Sequence, residues 1–250
     1  MMRFKQISSK CVLLIATFYM SMGLFTSDEV LSYEFTDWEH GAAGFELALM
    51  DAEEDEKPLI LYFHTDTISW CEKMNNDYFA VFEIEEFIGG ILKAEMDPGQ
   101  GGPEKELADR YGVKEYPTLL VYIPAFKGKP ERIHPFQKDR SMTANEFLKI
   151  LRDKIVYQYN KKGFSCSEKK DYKNALKYFE MALDYDPESA YTYFAMGTVY
   201  HFMGSSNKDL ESMKKAEANY LKALEIDPKH KESRAELKKV RKDMGKTGSR

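Results

Sequence analysis

The chain predicts an α/β domain followed by an all-α helical-repeat domain, on three observations. Short apolar runs at residues 59–63, 91–96 and 119–123 alternate with segments whose apolar positions recur at helical spacing. That alternation suits a sheet covered by helices. Beyond Val156 the strand signal ends and a new period begins. Gly163, Asp171-Tyr172, Ala175, Ala182-Leu183 and Asp186-Pro187 return, with an offset, as Gly197, Tyr200, Ala216, Ala223-Leu224 and Asp227-Pro228. Finally, no Gly/Ser/Pro-rich linker separates the two patterns, which predicts domains joined by a near-continuous helix and packed together.

At 250 residues the chain suits two modest domains. Its 31% charged and 43% hydrophobic residues are ordinary for a globular protein. A formal net charge of −5 gives no case for nucleic-acid binding. Cys11, Cys71 and Cys166 are its three cysteines, which excludes a disulfide framework and a C-x-x-C zinc pattern.

Residues 1–26 read as a targeting segment. Arg3, Lys5 and Lys10 form a basic start, and residues 11–25 are uncharged. That stretch is shorter than the ~20 residues a spanning helix needs, so a secretory signal is expected ahead of an uncleaved membrane anchor. Either places the rest outside the cytoplasm, periplasmic or tethered, where thiols meet oxidising conditions. Residues 27–33 read as a short tether.

The first domain is expected over residues 36–156. From Trp38, the run WEHGAAGFELALMDAEEDEK places Phe45, Leu47, Leu49 and Met50 among polar residues, an amphipathic helix ended at Lys57-Pro58. Its acidic tail, Asp51, Glu53, Glu54, Asp55 and Glu56, is read as solvated. The strand at 59–63 leads through a polar loop, residues 64–69, into a helix opened by Trp70-Cys71 and closed by Gly89-Gly90. Residues 91–96 form a second, parallel strand. Turn residues 98–103 precede a short helix that Gly112 caps. The strand at 119–123, a Lys127-Gly128-Lys129 turn and a strand at 132–135 follow. Thr143-x-x-Glu146 is a capping box for a helix with Phe147, Leu148, Leu151 and Ile155 on one side.

Residues 58–74, PLILYFHTDTISWCEKM, resemble the thioredoxin superfamily, in particular its exported thiol:disulfide branch with the pattern F-x-x-x-W-C-x-W-C-x-x-M. Phe63, Trp70, Cys71 and Met74 match. Thr67 replaces the leading Trp, and Ile68 stands at the first cysteine position. Gly112-Val113-Lys114-Glu115-Tyr116-Pro117-Thr118 resembles the family's G-V-x-x-x-P-T run, which implies that Pro117 is cis and faces the cysteine loop. Residues 157–245 are similar to tetratricopeptide repeats: two helix pairs and a capping helix at 229–243, the second pair lengthened between Gly204 and Ala216. Two repeats are fewer than the three usually needed for a stable solenoid.

In a two-cysteine site the first thiol attacks the substrate and the second resolves the mixed disulfide. With Ile68 in the first position, Cys71 cannot run that cycle alone. The leading expectation is an exported adaptor that binds protein or peptide partners and lacks an intact C-x-x-C site. The alternative is a monothiol oxidoreductase or isomerase with Cys71 as its catalytic residue. Cys166 falls at a packing position, and a Cys71–Cys166 bridge would need Cα atoms ~5.5 Å apart.

His64, Cys71 and Met74 resemble the groups with which some thioredoxin-like proteins deliver copper, but one thiolate is a thin set, so neither metal nor cofactor is expected. His40, His134 and His230 read as surface residues. The tetratricopeptide resemblance implies an inner face formed by Tyr157, Asn160, Phe164, Tyr191, Phe194, Thr198, His201 and Phe202, aromatic enough for an apolar peptide or for packing on the first domain. The thioredoxin resemblance adds Trp70, Tyr116 and Pro117 on the cis-proline side as partner-binding residues.

Overall fold

The computed structural model describes residues 34–137 and 140–247. The signal-or-anchor expectation falls on residues 1–26 and lies outside the described residues. Among the described residues no helix is long and apolar enough to cross a membrane.

Sheet formation starts from β2 (Leu59–Phe63), whose five residues are all buried. A strand covered on both faces reads as a continuous apolar run. β2 pairs in parallel with β3 (Leu92–Met96) and antiparallel with β4 (Thr118–Tyr122). β1 (Glu39–His40) and β5 (Glu131–Ile133) complete a five-stranded sheet of order β1-β3-β2-β4-β5. A separate hairpin joins β6 (Phe136–Gln137) to β7 (Arg140–Ser141).

The period of two along β2 divides the core. Leu59, Leu61 and Phe63 pack against α1 (Gly41–Glu54) and α4 (Gly102–Arg110), with Phe45, Ala48, Leu107 and Ala108. Ile60 and Tyr62 point to the other layer, with Met74, Phe79, Phe147, Leu151 and Ile155. That layer is α2 (Ser69–Met74), a π turn at Asn75–Phe79, α3 (Phe82–Gly89) and α5 (Ala144–Glu168). Helices on both faces of this mixed sheet, with the peptide before Pro117 cis, make a thioredoxin-like domain.

Several local expectations change. The α1 face turned inward is Gly44, Phe45, Ala48 and Ala52, while Leu47 and Met50 are exposed. The single helix expected after Cys71 breaks at Ala80-Val81, where α3 starts afresh. β1, β6 and β7 are two-residue strands too short to leave a periodic signal.

α5 crosses the expected domain boundary without a break, from its Thr143–Glu146 capping box to Glu168. Its first half covers the sheet, and its second half is the first helix of the repeats. α6 (Tyr172–Tyr185), α7 (Ala190–Asn207), α8 (Leu210–Ile226) and α9 (Lys231–Thr247) follow. Close crossings need residues without bulk. A Cβ on Gly163 would meet the Phe179 ring at 2.6 Å, and one on Gly197 the Tyr220 ring at 2.7 Å. The extra length of the second pair is taken up by both of its helices, α7 and α8.

The two halves share one core. Tyr178 and Ala182 of α6 lie in the same buried cluster as Ile60 and Leu151. Phe126 packs edge-on against Tyr159 and Tyr178, with ring centroids 5.6 and 5.3 Å apart. Glu56, expected to be solvated, fastens this interface instead. Its carbonyl accepts from Tyr159 Oη at 2.8 Å, and its carboxylate accepts from Tyr178 Oη at 2.6 Å and from Lys177. Burial pushes the Glu56 carboxyl up, but those two side chains and the Lys162 charge outweigh it and hold it below its usual range.

Candidate functional site

The β2–β4 register decides what faces the cysteine loop. Phe63 pairs with Thr118, so the loop after β2 and Pro117 before β4 emerge at the same end of the sheet. The Tyr116-Pro117 peptide is cis, as the resemblance implied. Ile68 is the N-cap of α2 and offers no side-chain cap. Cys71, one turn in, is 2% exposed, and its N–H donates to the Ile68 carbonyl at 2.8 Å. Beneath the loop, Tyr62 Oη donates to Asn75 Oδ1 at 3.1 Å.

Burial pushes the Cys71 thiol up; a Thr65 N–H that donates to the sulfur offsets part of this, and the Asp66 and Asp97 charges add to it. A thiolate is therefore disfavoured at neutral pH, the reverse of what an attacking sulfur needs. Cys166 is half-buried between the shared core and the first repeat's core. Both thiols are free, so no Cys71–Cys166 bridge is formed.

Trp70 turns outward, 49% exposed, and packs at a tilt against Phe136, ring centroids 4.9 Å apart. With Tyr116, Pro117 and His134 these two rings line an open cavity of about 290 Å³. The structure thus brings Trp70, Tyr116 and Pro117 together. The structure adds Phe136, on a strand too short to register in the sequence, and His134, which is exposed as its surface reading expects.

His64 does not turn toward Cys71 and Met74 as a ligand. Its Nε2 lies 2.6 Å from Glu95 Oε2, and His40 Nδ1 lies 2.6 Å from Oε1 of the same carboxylate. Burial raises the Glu95 carboxyl, but both imidazoles outweigh it and hold it below its usual range. Among the described residues no group of three or more His, Cys, Asp or Glu side chains could hold a metal ion.

The repeat face is only partly as expected. Tyr157, Tyr191 and Phe202 are exposed. Tyr157, Asn160, Phe164 and Tyr191 line a cavity of about 350 Å³, and Phe194 continues the row, 6.3 Å from Tyr191. Asn160 is buried, and its Nδ2 donates to Thr192 Oγ1 at 2.9 Å, so it ties α5 to α7. Thr198 Oγ1 donates back to the Phe194 carbonyl. His201 is drawn against α9, its Nε2 3.3 Å from Asp243 Oδ2, and is not presented to a partner. His230, expected on the surface, is half-buried and packs on Phe194. The aromatic residues that pack on the first domain are Tyr159, Tyr178 and Tyr185.

The tetratricopeptide repeat family matches residues 159–189 and 190–230. The helical half carries tetratricopeptide repeats. Solved structures similar to the chain are thioredoxins and an oxidoreductase. A thioredoxin from Thermus thermophilus is 24% identical over 47% of this chain and 87% of that one, with a TM-score of 0.38. The DsbH oxidoreductase is 25% identical over 52% of this chain and 92% of that one, TM-score 0.37. Thioredoxin O2 from Arabidopsis thaliana is 16% identical over 50% of this chain and 99% of that one, TM-score 0.38. No curated protein matches the sequence. Residues 159–230 thus match tetratricopeptide repeats, and the five-stranded mixed sheet ahead of them has a thioredoxin-like fold.

Proposed function

We propose that this protein is an exported adaptor that binds protein or peptide partners and does not cycle disulfides by itself. The observation that carries this is the pairing of a buried thiol with an exposed aromatic cavity at one end of the sheet. Cys71 is 2% exposed, with Ile68 ahead of it, whereas Trp70, Tyr116, Pro117 and Phe136 present an open, largely aromatic recess. Aromatic anchors beside backbone that can pair with an extended chain suit peptide recognition. The exposed rings of Tyr157 and Tyr191 add a second contact row on the repeats. Export rests on the basic start and uncharged stretch of residues 1–26.

The second reading, a monothiol oxidoreductase acting through Cys71, is favoured by one detail, the Thr65 N–H aimed at the sulfur. One experiment separates the two. Partners are captured on the wild-type chain, on Cys71→Ser and on Trp70→Ala, and each is resolved with and without reductant. The adaptor reading expects the same partners on Cys71→Ser, none released by reductant, and weaker capture on Trp70→Ala. Partners lost from Cys71→Ser and freed by reductant establish the monothiol reading in its place.

A further inference from the structure

A trough along the exposed face of α5 belongs to neither domain alone. At its wider end is a cavity of about 470 Å³ with Phe126 and Tyr157 among its walls. Lys129 comes to it from the turn before β5, and Lys161 and Lys162 from α5. Lys162 Nζ sits 5.0 Å from the Phe126 ring centre. The carboxylate lining this end, Glu131, is already bonded by Lys154 Nζ at 3.1 Å. Lys129 and Lys161 make no ion pair among the described residues. Beyond Tyr157 the trough continues into the cavity by Phe164 and Tyr191, where Glu168 is the carboxylate at the wall.

Ammonium groups gathered around a half-enclosed aromatic slot repel, and the low-dielectric walls sharpen that field. On a chain of net charge −5 such a slot is a local inversion. We propose that this trough binds an acidic segment of a partner protein. Its carboxylates meet Lys129, Lys161 and Lys162, and an apolar side chain passes Tyr157 to rest on Phe164 and Tyr191. This rests on the partner-binding reading above and adds the surface, the charge and the direction. Each cavity falls in the ~300–1,000 Å³ range that encloses a few side chains.

The test is fluorescence polarisation on the full chain with a labelled peptide, a run of Asp and Glu followed by Leu-Phe, beside a counterpart with Lys in place of the acids. Saturable binding of the acidic peptide alone is expected, weakening as salt rises toward a Debye length of ~8 Å. The double variant Lys129→Glu/Lys161→Glu should bind it about tenfold more weakly or worse, and Trp70→Ala as well as wild type. Should the double variant fail to fold, Lys161→Gln reports the same loss in smaller degree. Equal binding of both peptides, or affinity untouched by the lysine changes, overturns the proposal. So does lysine-dependent binding of phosphatidylglycerol vesicles with none of the peptide. Partners captured through Trp70 yet indifferent to the lysines would leave the adaptor reading standing and remove this one.

Discussion

Glu56 holds φ +54°, a left-handed conformation costing an ordinary side chain roughly 1–2 kcal/mol. It keeps that conformation because its carbonyl and carboxylate are both committed to Tyr159, Tyr178 and Lys177. Its folded pKa lies below the ordinary 4.5, so its contribution is complete above that value and is lost as pH falls through the folded value. Glu95, between His40 and His64, is depressed likewise and adds acid sensitivity in the same direction. Glu56→Gln should therefore cost about 1–3 kcal/mol at neutral pH and flatten the acid limb of stability, read by urea unfolding at several pH values. An unchanged acid limb would show that the carboxylate does not fasten the halves. At Cys71, burial predicts thiol labelling in the native chain at least about tenfold slower than in urea. Labelling at the unfolded rate would mean the sulfur is open. The placing of Cys71 at the start of a helix after the β2 loop was legible in the sequence, because an apolar strand, a polar loop and a helical period follow one another there. Glu56 was not, because an acid at a helix end looks solvated until the surface opposite it is known.

α5 carries most of the architecture. Phe147, Leu151 and Ile155 cover the sheet, and Gly163 lets Phe179 approach two turns later. Gln158 sits between these stretches and accepts from the Ile123 N–H at 2.9 Å, tying the helix to the end of β4. Gln158→Pro should cost about 3 kcal/mol or more and lower Tm, seen by thermal unfolding; a Tm equal to wild type would deny the helix this role. Its continuity could be read in advance, since the capping box starts it and no breaker interrupts it. β2 and β4 were equally legible, because strands buried on both faces are continuous apolar runs. β1, β6 and β7 exist through pairing, not local propensity, and the π turn at Asn75–Phe79 interrupts a pattern that reads as plain helix. For the same reason Phe136 escaped the sequence and completes the Trp70 cavity only in the folded chain.

Two repeats do not close a solenoid core, and this molecule completes one by borrowing. Tyr178 and Ala182 of the first repeat sit in the buried layer of the α/β domain, and α9 covers the far end with Leu237 and Val240. The described residues of both halves accordingly form one compact unit. Far-ultraviolet dichroism and tyrosine fluorescence should report a single coincident unfolding transition, and limited proteolysis should not release stable halves near residues 155–165. Two separated transitions would contradict the shared core. A single compact unit of this kind suits the proposed adaptor role, since the cis-proline cavity and the lysine-lined trough are carried on one core. The sharpest test is insulin disulfide reduction by the purified chain with dithiothreitol as electron donor and Cys71→Ser as control. No turnover above the control is expected; steady turnover by wild type, abolished in Cys71→Ser, would overturn the adaptor reading.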